Sequence, residues 1–170
     1  MGQEKLLFGT DIRLRYEFQD NFNQKYYGDH PKKGSADGGF LLGRLRAGLD
    51  YTPSDKIHMA VWMQDSRVWG MALSDSAFYN DKIGCEQNCN KDPWELSDTY
   101  IEIKRPFDVP VHFKAGRQRI VYGDRRVFGP GQWGNTGRWI WDAVSISCRF
   151  EKGFVDAYYG RTIIRERLRF

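Results

Sequence analysis

The chain has 170 residues with a formal net charge of +4, and its 15% aromatic content and 18 glycines favour strands over helices. This length fits one domain or a part of one, and the modest charge argues against a nucleic-acid-binding domain. No apolar run approaches the ~18 residues of a membrane-spanning helix, and no charged and apolar leader follows Met1, so we expect any signal peptide to have been removed or never present.

The first predicted strand lies in "LFGTDIRLRYEFQ", where residues alternate between two kinds of side chain. Alternate positions from Phe8 to Phe18 are apolar except for Thr10, and the positions between them carry charges at Asp11, Arg13, Arg15 and Glu17. An alternation of about 11 residues is typical of a strand that crosses a bilayer at a tilt. Most strands of soluble domains are about half as long.

The next two predicted strands form a hairpin. In "FLLGRLRAGLDY", Arg44, Arg46 and Asp50 lie opposite an apolar row that includes Leu41 and Leu45. A short turn, "TPSD" at 52–55, leads into "KIHMAVWMQDSR", which alternates in the same way.

Four more segments follow with period two: "SDTYIEIKR", "VHFKAG", "AVSISCRFE" and "FVDAYYGRTIIRERLRF". The phase of the last one changes near Gly160, where we expect a β-bulge. The phase also changes at Gly116, and alternation therefore does not assign the faces of Arg117 and Arg119.

The connections between these segments alternate between long and short. They cover residues 19–38, 52–55, 69–96, 106–110, 123–138 and 151–153. This alternation is typical of outer-membrane barrels, with a soluble sandwich or a lipocalin as the alternative. The sequence therefore predicts an all-β fold, an antiparallel up-and-down transmembrane β-barrel.

The strand count is about seven, starting from a periplasmic amino terminus. Bacterial single-chain barrels use even numbers of strands. We therefore expect residues 1–170 to form one β-barrel domain that is incomplete at its C-terminal end. The alternative is a break at "GRT" (160–162), which would give eight strands and a small closed barrel.

The stretch "GRQRIVYGDRRVFGPGQWGNTGRWIWD" gathers arginines among glycines and tryptophans. Its motif resembles the alginate-export family of outer-membrane proteins. The residues that carry this resemblance are Gly116, Arg117, Gln118, Tyr122, Gly123, Asp124, Arg126, Gly129, Trp133, Asn135, Gly137, Arg138 and Asp142. The resemblance implies a longer single-chain barrel that passes an anionic polysaccharide outward through an arginine-lined pore.

The chemistry of arginine fits such a pore. A uronate polymer carries one carboxylate per sugar, and a guanidinium stays charged and binds carboxylates in a bidentate manner. Rings of arginine select anions in pores. The predicted solute path comprises Arg13, Arg15, Arg44, Arg46, Arg117, Arg119, Arg125, Arg126 and Arg138, together with Asp124, Asn135 and Trp133. We expect Asp11, Glu17, Asp124 and Asp142 to offset part of the charge, and Trp133, Trp139 and Trp141 to stack on sugars or anchor at the membrane interface.

Structural explanations stay open for the same residues. The arginines of the strands would also form a ladder of cross-strand charge pairs, and the 116–142 motif would shape a loop. His58 and His112 are expected to be polar residues without a catalytic role. A Cys85–Cys89 disulfide is one reading of "GCEQNCN", and Asp75, Asp81 or Asp92 are weak candidates for calcium because the acidic loop lacks calcium-loop spacing.

The predicted function is an outer-membrane channel for export or diffusion of anionic polysaccharide or other anionic solutes. It is not expected to be an enzyme, to need a cofactor or to hold a metal. Its expected partners are outer-membrane lipid, an anionic saccharide and periplasmic export machinery, and its expected location is the bacterial outer membrane. The alternatives are a soluble carbohydrate-binding or carbohydrate-cleaving β domain and, less favoured, a nucleic-acid-binding domain.

Overall fold

A computed structural model of the chain describes residues 4–20, 38–72, 79–80, 85–86, 88, 90–123, 135–136 and 140–162. Within these ranges, seven antiparallel strands form one sheet in chain order, and two short strands form a separate hairpin. The sheet contains β1 (Lys5–Gln19), β2 (Gly38–Ser54), β3 (Ile57–Trp69), β6 (Asp92–Lys104), β7 (Val111–Gln118), β8 (Trp141–Phe150) and β9 (Gly153–Thr162). The hairpin pairs β4 (Tyr79–Asn80) with β5 (Cys85–Glu86).

The predicted all-β, up-and-down topology and the count of seven long strands are confirmed. In the described part of the chain the sheet is open, with β1 and β9 as its two edge strands. The break expected at 160–162 in the eight-strand alternative is wrong, because β9 continues through these residues. Residues 163–170, where that alternative places its eighth strand, lie outside the described ranges. Among the described residues, no helix is long and apolar enough to cross a membrane.

The connections alternate in length as predicted. Long connections at 20–37, 70–91 and 119–140 alternate with short ones at 55–56, 105–110 and 151–152. Two short connections contact each other, since Lys56 Nζ donates a hydrogen bond of 2.8 Å to Asp108 Oδ1. This hydrogen bond lowers the pKa of the exposed Asp108 carboxyl.

One face of the sheet is apolar and exposed. Along β1, the side chains of Phe8, Ile12 and Phe18 are 78%, 71% and 71% exposed, whereas the alternate residues Arg13 and Arg15 are partly buried. The same row continues through Val61, Met63, Ile101, Ile103, Phe113, Val144 and Ile146, all of which are exposed. We call this the outer face, and an apolar surface of this extent needs a cover other than water.

The buried residues lie on the opposite, polar face, which we call the inner face. Leu42, Arg44, Gln64 and Ser66 belong to it by register, and each is buried. Residues 135–136, from the third long connection, are also buried. The interior of the molecule therefore lies on the side that carries the charges.

The predicted bulge at Gly160 is wrong. The register of β8 with β9 runs without a shift from Phe150↔Gly153 to Trp141↔Thr162. Glycine is required for a different reason, since a Cβ at Gly160 would lie too close to the backbone of Asp142 and to Ala143 on the neighbouring strand. The change of phase in the sequence reflects this close approach of two strands.

Register shifts occur near the β2–β3 turn, between Tyr51 and Ser54, and between β3 and β6. The register shifts between Val61 and Met63 and again between Gln64 and Ser66, and Trp94 has a φ of 43°. Because bulges interrupt alternation, the sequence pattern of β6 shows only from Ser97 onward. The strand itself begins earlier, at Asp92.

Candidate functional site: a basic inner face and an in-folded segment

Strand register brings arginines together on the inner face. Arg13 on β1 lies directly opposite Arg44 on β2, and Arg46 lies opposite Asp11. Because side chains alternate between faces, these residues share one face with Arg15. The sheet thus places four arginines from two neighbouring strands side by side.

Carboxylates on β1 pair with two of these arginines. Arg15 is paired with Glu17, and Arg44 Nη2 lies 3.4 Å from Asp11 Oδ2.

One carboxylate is shared by two arginines. Asp98 Oδ2 lies 2.8 Å from Arg46 Nη2 and 2.7 Å from Arg119 Nη2, and the Arg119 Nε donates to Asp98 Oδ1 at 3.1 Å. Asp98 is buried, whereas the side chain of Arg119 keeps 39% of its surface exposed. The "arginine cluster" is therefore defined as Arg13, Arg15, Arg44, Arg46 and Arg119. The three carboxylates that face it are Asp11, Glu17 and Asp98.

A tryptophan lies flat beside this cluster. A Cβ at Gly9 or at Gly48 would overlap the ring of Trp62, so both strands need glycine where the indole crosses them. The Trp62 Nε1 donates a 3.1 Å hydrogen bond to Asp50 Oδ2, and the Arg46 guanidinium lies 5.6 Å from the ring centroid. The indole fixes the position of Arg46 on the inner face.

Residues 135–136 of the third long connection pack against this face. The Asn135 side chain is fully buried, and its Nδ2 lies within hydrogen-bonding distance of the carbonyls of Gly43, Arg67 and Asn90, at 3.2, 3.0 and 2.7 Å. These carbonyls belong to β2, to β3 and to the segment that precedes β6. A single amide therefore ties the connection between β7 and β8 to distant strands.

The inner face in turn binds the backbone of this "in-folded segment", residues 135–136. Ser66 Oγ donates to the Asn135 carbonyl at 2.9 Å, and Gln64 Nε2 donates to the Thr136 carbonyl at 3.0 Å. Arg13 Nη2 lies 3.5 Å from Asn135 Oδ1. The segment is thus held at the side of the arginine cluster.

Arg117 lies apart from the cluster. Its Nε donates to Asp142 Oδ1 at 3.1 Å, and its Nη1 donates to Glu95 Oε1 at 3.3 Å and to the Leu96 carbonyl at 3.0 Å. Alternation along β7 places Arg117 in one row with Phe113. The sequence did not assign the faces of Arg117 and Arg119. In the structure Arg119 belongs to the arginine cluster, whereas Arg117 pairs with Asp142 and Glu95.

A second group of polar residues lies on the inner face nearer the short connections. Glu102 is flanked by His58 and His112, whose Nδ1 atoms lie 3.6 and 3.8 Å from its oxygens, and His58 Nε2 lies 3.1 Å from Asp50 Oδ1. Both histidines thus contact carboxylates on neighbouring strands. In the part of the chain that the structure describes, no group of side chains is arranged to hold a metal ion.

Several predicted residues fall outside the described ranges. These are Asp124, Arg125, Arg126, Trp133 and Arg138 of the solute path, Trp139, Cys89 of the disulfide hypothesis, and Asp75 and Asp81 of the calcium hypothesis. Their roles stay predictions. Asp92, the third calcium candidate, starts β6.

Sequence reasoning missed three participants. Asp98 lies in the polar row of its strand, but its partners Arg46 and Arg119 are 52 and 21 residues away in the chain. Gln64 and Ser66 are ordinary polar residues whose partners are backbone carbonyls 69 and more residues away. Gly9 and Gly48 both lie on the polar side of their strands. These two glycines were the sequence signal for an aromatic ring on a neighbouring strand that lies flat across them.

A model of the alginate export family matches residues 4–167, nearly the whole chain. The chain belongs to the alginate export family. This confirms the resemblance carried by the 116–142 motif. The chain has no significant match among curated proteins or among solved structures.

The alginate export family is a family of outer-membrane β-barrel export channels rather than of enzymes. Membership explains why the long strands have one apolar and one polar face, since a barrel in lipid needs both. The in-folded segment lies within the region that matches the family, because the motif that carries the resemblance contains Asn135.

Proposed function

We propose that the protein is an outer-membrane channel whose inner face carries anionic solutes, anionic polysaccharide foremost, past the arginine cluster. The observation that carries this proposal is the carboxylate of Asp98, which serves both Arg46 and Arg119. Two guanidinium groups on one carboxylate leave an excess positive charge at this point of the inner face. An anionic group of a solute complements that excess.

Among the described residues, the cluster has five arginines and the carboxylates paired with it number three. A channel has to attract its solute and also release it, which favours several weak sites over one strong site. The partial neutralisation by Asp11, Glu17 and Asp98 weakens each arginine without removing the net charge. Arginine also forks onto carboxylates with both nitrogens, so that a carboxylated polymer can be passed from one site to the next.

The in-folded segment supplies the narrowing of the path. Asn135 and Thr136 are buried against the strands that carry Arg13 and Arg44, so the connection occupies space beside the cluster. A solute following the inner face is proposed to pass beside this segment. Arg125, Arg126 and Arg138 belong to the same connection and are proposed to line the same passage.

The outer face is proposed to contact the lipid of the bacterial outer membrane. Backbone groups in hydrocarbon must pair with each other, which strands achieve only in a closed barrel. We therefore propose that neither of the edge strands, β1 and β9, keeps an unpaired edge in the membrane. The alternative, a soluble carbohydrate-binding domain, would require a second layer over the apolar outer face.

Reconstitution in planar bilayers tests this function. In a KCl gradient we expect a reversal potential of the sign given by chloride preference, and we expect added polyuronate to block the current. Because Arg46 and Arg119 share one partner, the double substitution Arg46→Gln and Arg119→Gln should shift the reversal potential towards cations and weaken the block.

The matched control is Arg67→Gln. This arginine is paired with Asp65 and belongs by alternation to the row of Met63 and Trp69, so its removal should leave selectivity unchanged. A cation-selective pore that polyuronate does not affect would refute the proposed function.

A further inference from the structure

A group of aromatic side chains lies on the inner face at the other side of the sheet from β1 and β2. Tyr158 on β9 is in register with Ser145, and Phe154 with Arg149, and both alternate with the polar Asp156. Trp141 on β8 and Tyr122, from the connection that follows β7, join them. We call these four residues the aromatic wall.

The rings of the aromatic wall are arranged in two pairs. Tyr122 lies parallel to Phe154, with an angle of 3° between the rings and 6.2 Å between their centroids. Trp141 meets Tyr158 at 67° with a centroid distance of 6.0 Å. Phe154 keeps 53% of its surface exposed and Tyr158 keeps 36%, so ring surface stays open on the inner face.

Polar groups interrupt this wall. The Tyr122 hydroxyl donates a 2.9 Å hydrogen bond to Asp156 Oδ2, and burial with this bond raises the pKa of Tyr122 to about 12. Arg149 Nη2 lies 3.8 Å from the same carboxylate oxygen, and its guanidinium carbon is 4.7 Å from the centroid of the Phe154 ring. The side chain of Arg149 is 57% exposed.

The charged and hydroxyl groups among these rings argue against a purely apolar ligand. A lipid chain laid on Phe154 and Tyr158 would desolvate Arg149 and Asp156 without offering hydrogen bonds in return. A pyranose ring is suited to both parts, because its C–H face covers an aromatic ring and its hydroxyls hydrogen-bond to charged and hydroxyl groups. Carboxylates on the sugar add complementarity to Arg149.

We propose that the aromatic wall is a binding surface for the pyranose rings of the transported chain. It thus selects carbohydrate among anions. This inference rests on the proposed function and deepens it, since the arginine cluster recognises charge and the aromatic wall recognises the sugar ring. Phe154 and Tyr158 on β9 are separated from Arg46 on β2 by four strands, β3, β6, β7 and β8. They can therefore be changed separately.

Channel block by three solutes tests the aromatic wall. The solutes are an oligouronate, a neutral oligosaccharide of equal length and a small tricarboxylate, applied to the full chain in planar bilayers. The double substitution Phe154→Leu and Tyr158→Leu keeps apolar volume and removes the flat rings. We expect blocking affinity for both oligosaccharides to fall about tenfold. Block by the tricarboxylate and the chloride preference should stay unchanged.

The matched control is Tyr159→Leu. Tyr159 is the neighbour of Tyr158 on β9, lies on the outer face and is 89% exposed, so none of the three blocks should change. Each single leucine variant is measured as well, and heat-modifiable migration on gels verifies that every variant is folded.

The inference is overturned if oligosaccharide block survives both leucine substitutions, if tricarboxylate block falls by the same factor, or if the wild-type channel ignores the neutral oligosaccharide. These outcomes differ from failure of the proposed function, in which the wild-type channel shows no anion preference at all.

Discussion

The single residue Asn135 holds the in-folded segment against the inner face. Its amide group has two N–H donors, and these are shared among three carbonyls from separate parts of the chain. Since the side chain is fully buried, no water replaces a lost donor. The narrowing of the proposed path therefore depends on this amide together with the donors Ser66 and Gln64.

Replacing Asn135 by alanine tests this dependence. Buried carbonyls left without a donor lower the free energy of unfolding by about 1–3 kcal/mol. We also expect a larger single-channel conductance, because the segment is released from Gly43 and Arg67. Thermal unfolding in detergent and bilayer conductance measure the two effects. Thr10→Ala, an exposed polar residue on β1, is the control, and a variant with wild-type conductance would contradict the role of the segment.

Glycine at position 116 is the second residue-scale requirement. Gly116 has a φ of 124°, and a Cβ there would collide with the backbone of Thr99 and Tyr100 on β6. We expect Gly116→Ala to lower the free energy of unfolding by about 1–3 kcal/mol. Gly153→Ala is the matched comparison, since Gly153 has open space around it, and equal melting temperatures for the two variants would disprove the constraint.

Residue roles were only partly predictable from sequence. Arg13, Arg15, Arg44 and Arg46 lie on the polar face of β1 and β2 because period two is unbroken there. The partner Asp98 was not predictable, because its contacts with Arg46 and Arg119 join residues 52 and 21 positions apart in the chain. Among the carboxylates expected to offset charge, Asp11 and Glu17 pair with the cluster, whereas Asp142 pairs with Arg117.

At the scale of the element, β1 shows the two faces most clearly. Its outer row is exposed from Leu6 to Phe18, and its inner row contacts the arginine cluster and the in-folded segment. In water, a charged residue at an exposed outer position would leave the stability of the protein unchanged. In lipid, the same residue lowers the stability, so a substitution on the outer face of β1 distinguishes the two environments.

Substitution of Ile12 by arginine exploits this difference. In lipid, a basic residue near the bilayer midplane lowers barrel stability by about 2–4 kcal/mol. Ser147→Arg is the inner-face control, because the new guanidinium lies across from Asp156 and is expected to have a small effect. Folding titrations in lipid vesicles measure both variants. Equal stabilities would mean that the outer face of β1 does not contact lipid.

Elements differ in how well their sequence reveals them. The β2–β3 hairpin was predicted together with its faces, because both strands alternate without a break from Leu41 to Tyr51 and from Met59 to Trp69. The predicted β6 began only at residue 97, because the positive φ of Trp94 and the β-bulges interrupt the alternation of its first residues. At Gly160 the sequence suggested a bulge, and the structure has two closely packed strands, a tertiary contact that no local pattern encodes.

For the whole molecule, the order of long and short connections and the repeated alternation were sufficient to predict an up-and-down sheet. The position of the in-folded segment against the inner face was not predictable, because Asn135 contacts carbonyls 45, 68 and 92 residues away in the chain. Membership of the alginate export family and the two-faced sheet agree with each other. Together they favour a barrel with lipid on the side of Ile12 and water on the side of Arg13.

Spin-label accessibility along β8 tests that central claim. The native cysteines Cys85, Cys89 and Cys148 are replaced by serine, and single cysteines are placed at Val144, Ser145, Ile146 and Ser147. In outer-membrane vesicles, labels at 144 and 146 should be relaxed by oxygen, which partitions into lipid, and labels at 145 and 147 by a water-soluble nickel chelate. Nickel accessibility at all four positions, or an alternation of the opposite sense, would contradict a channel with a polar interior.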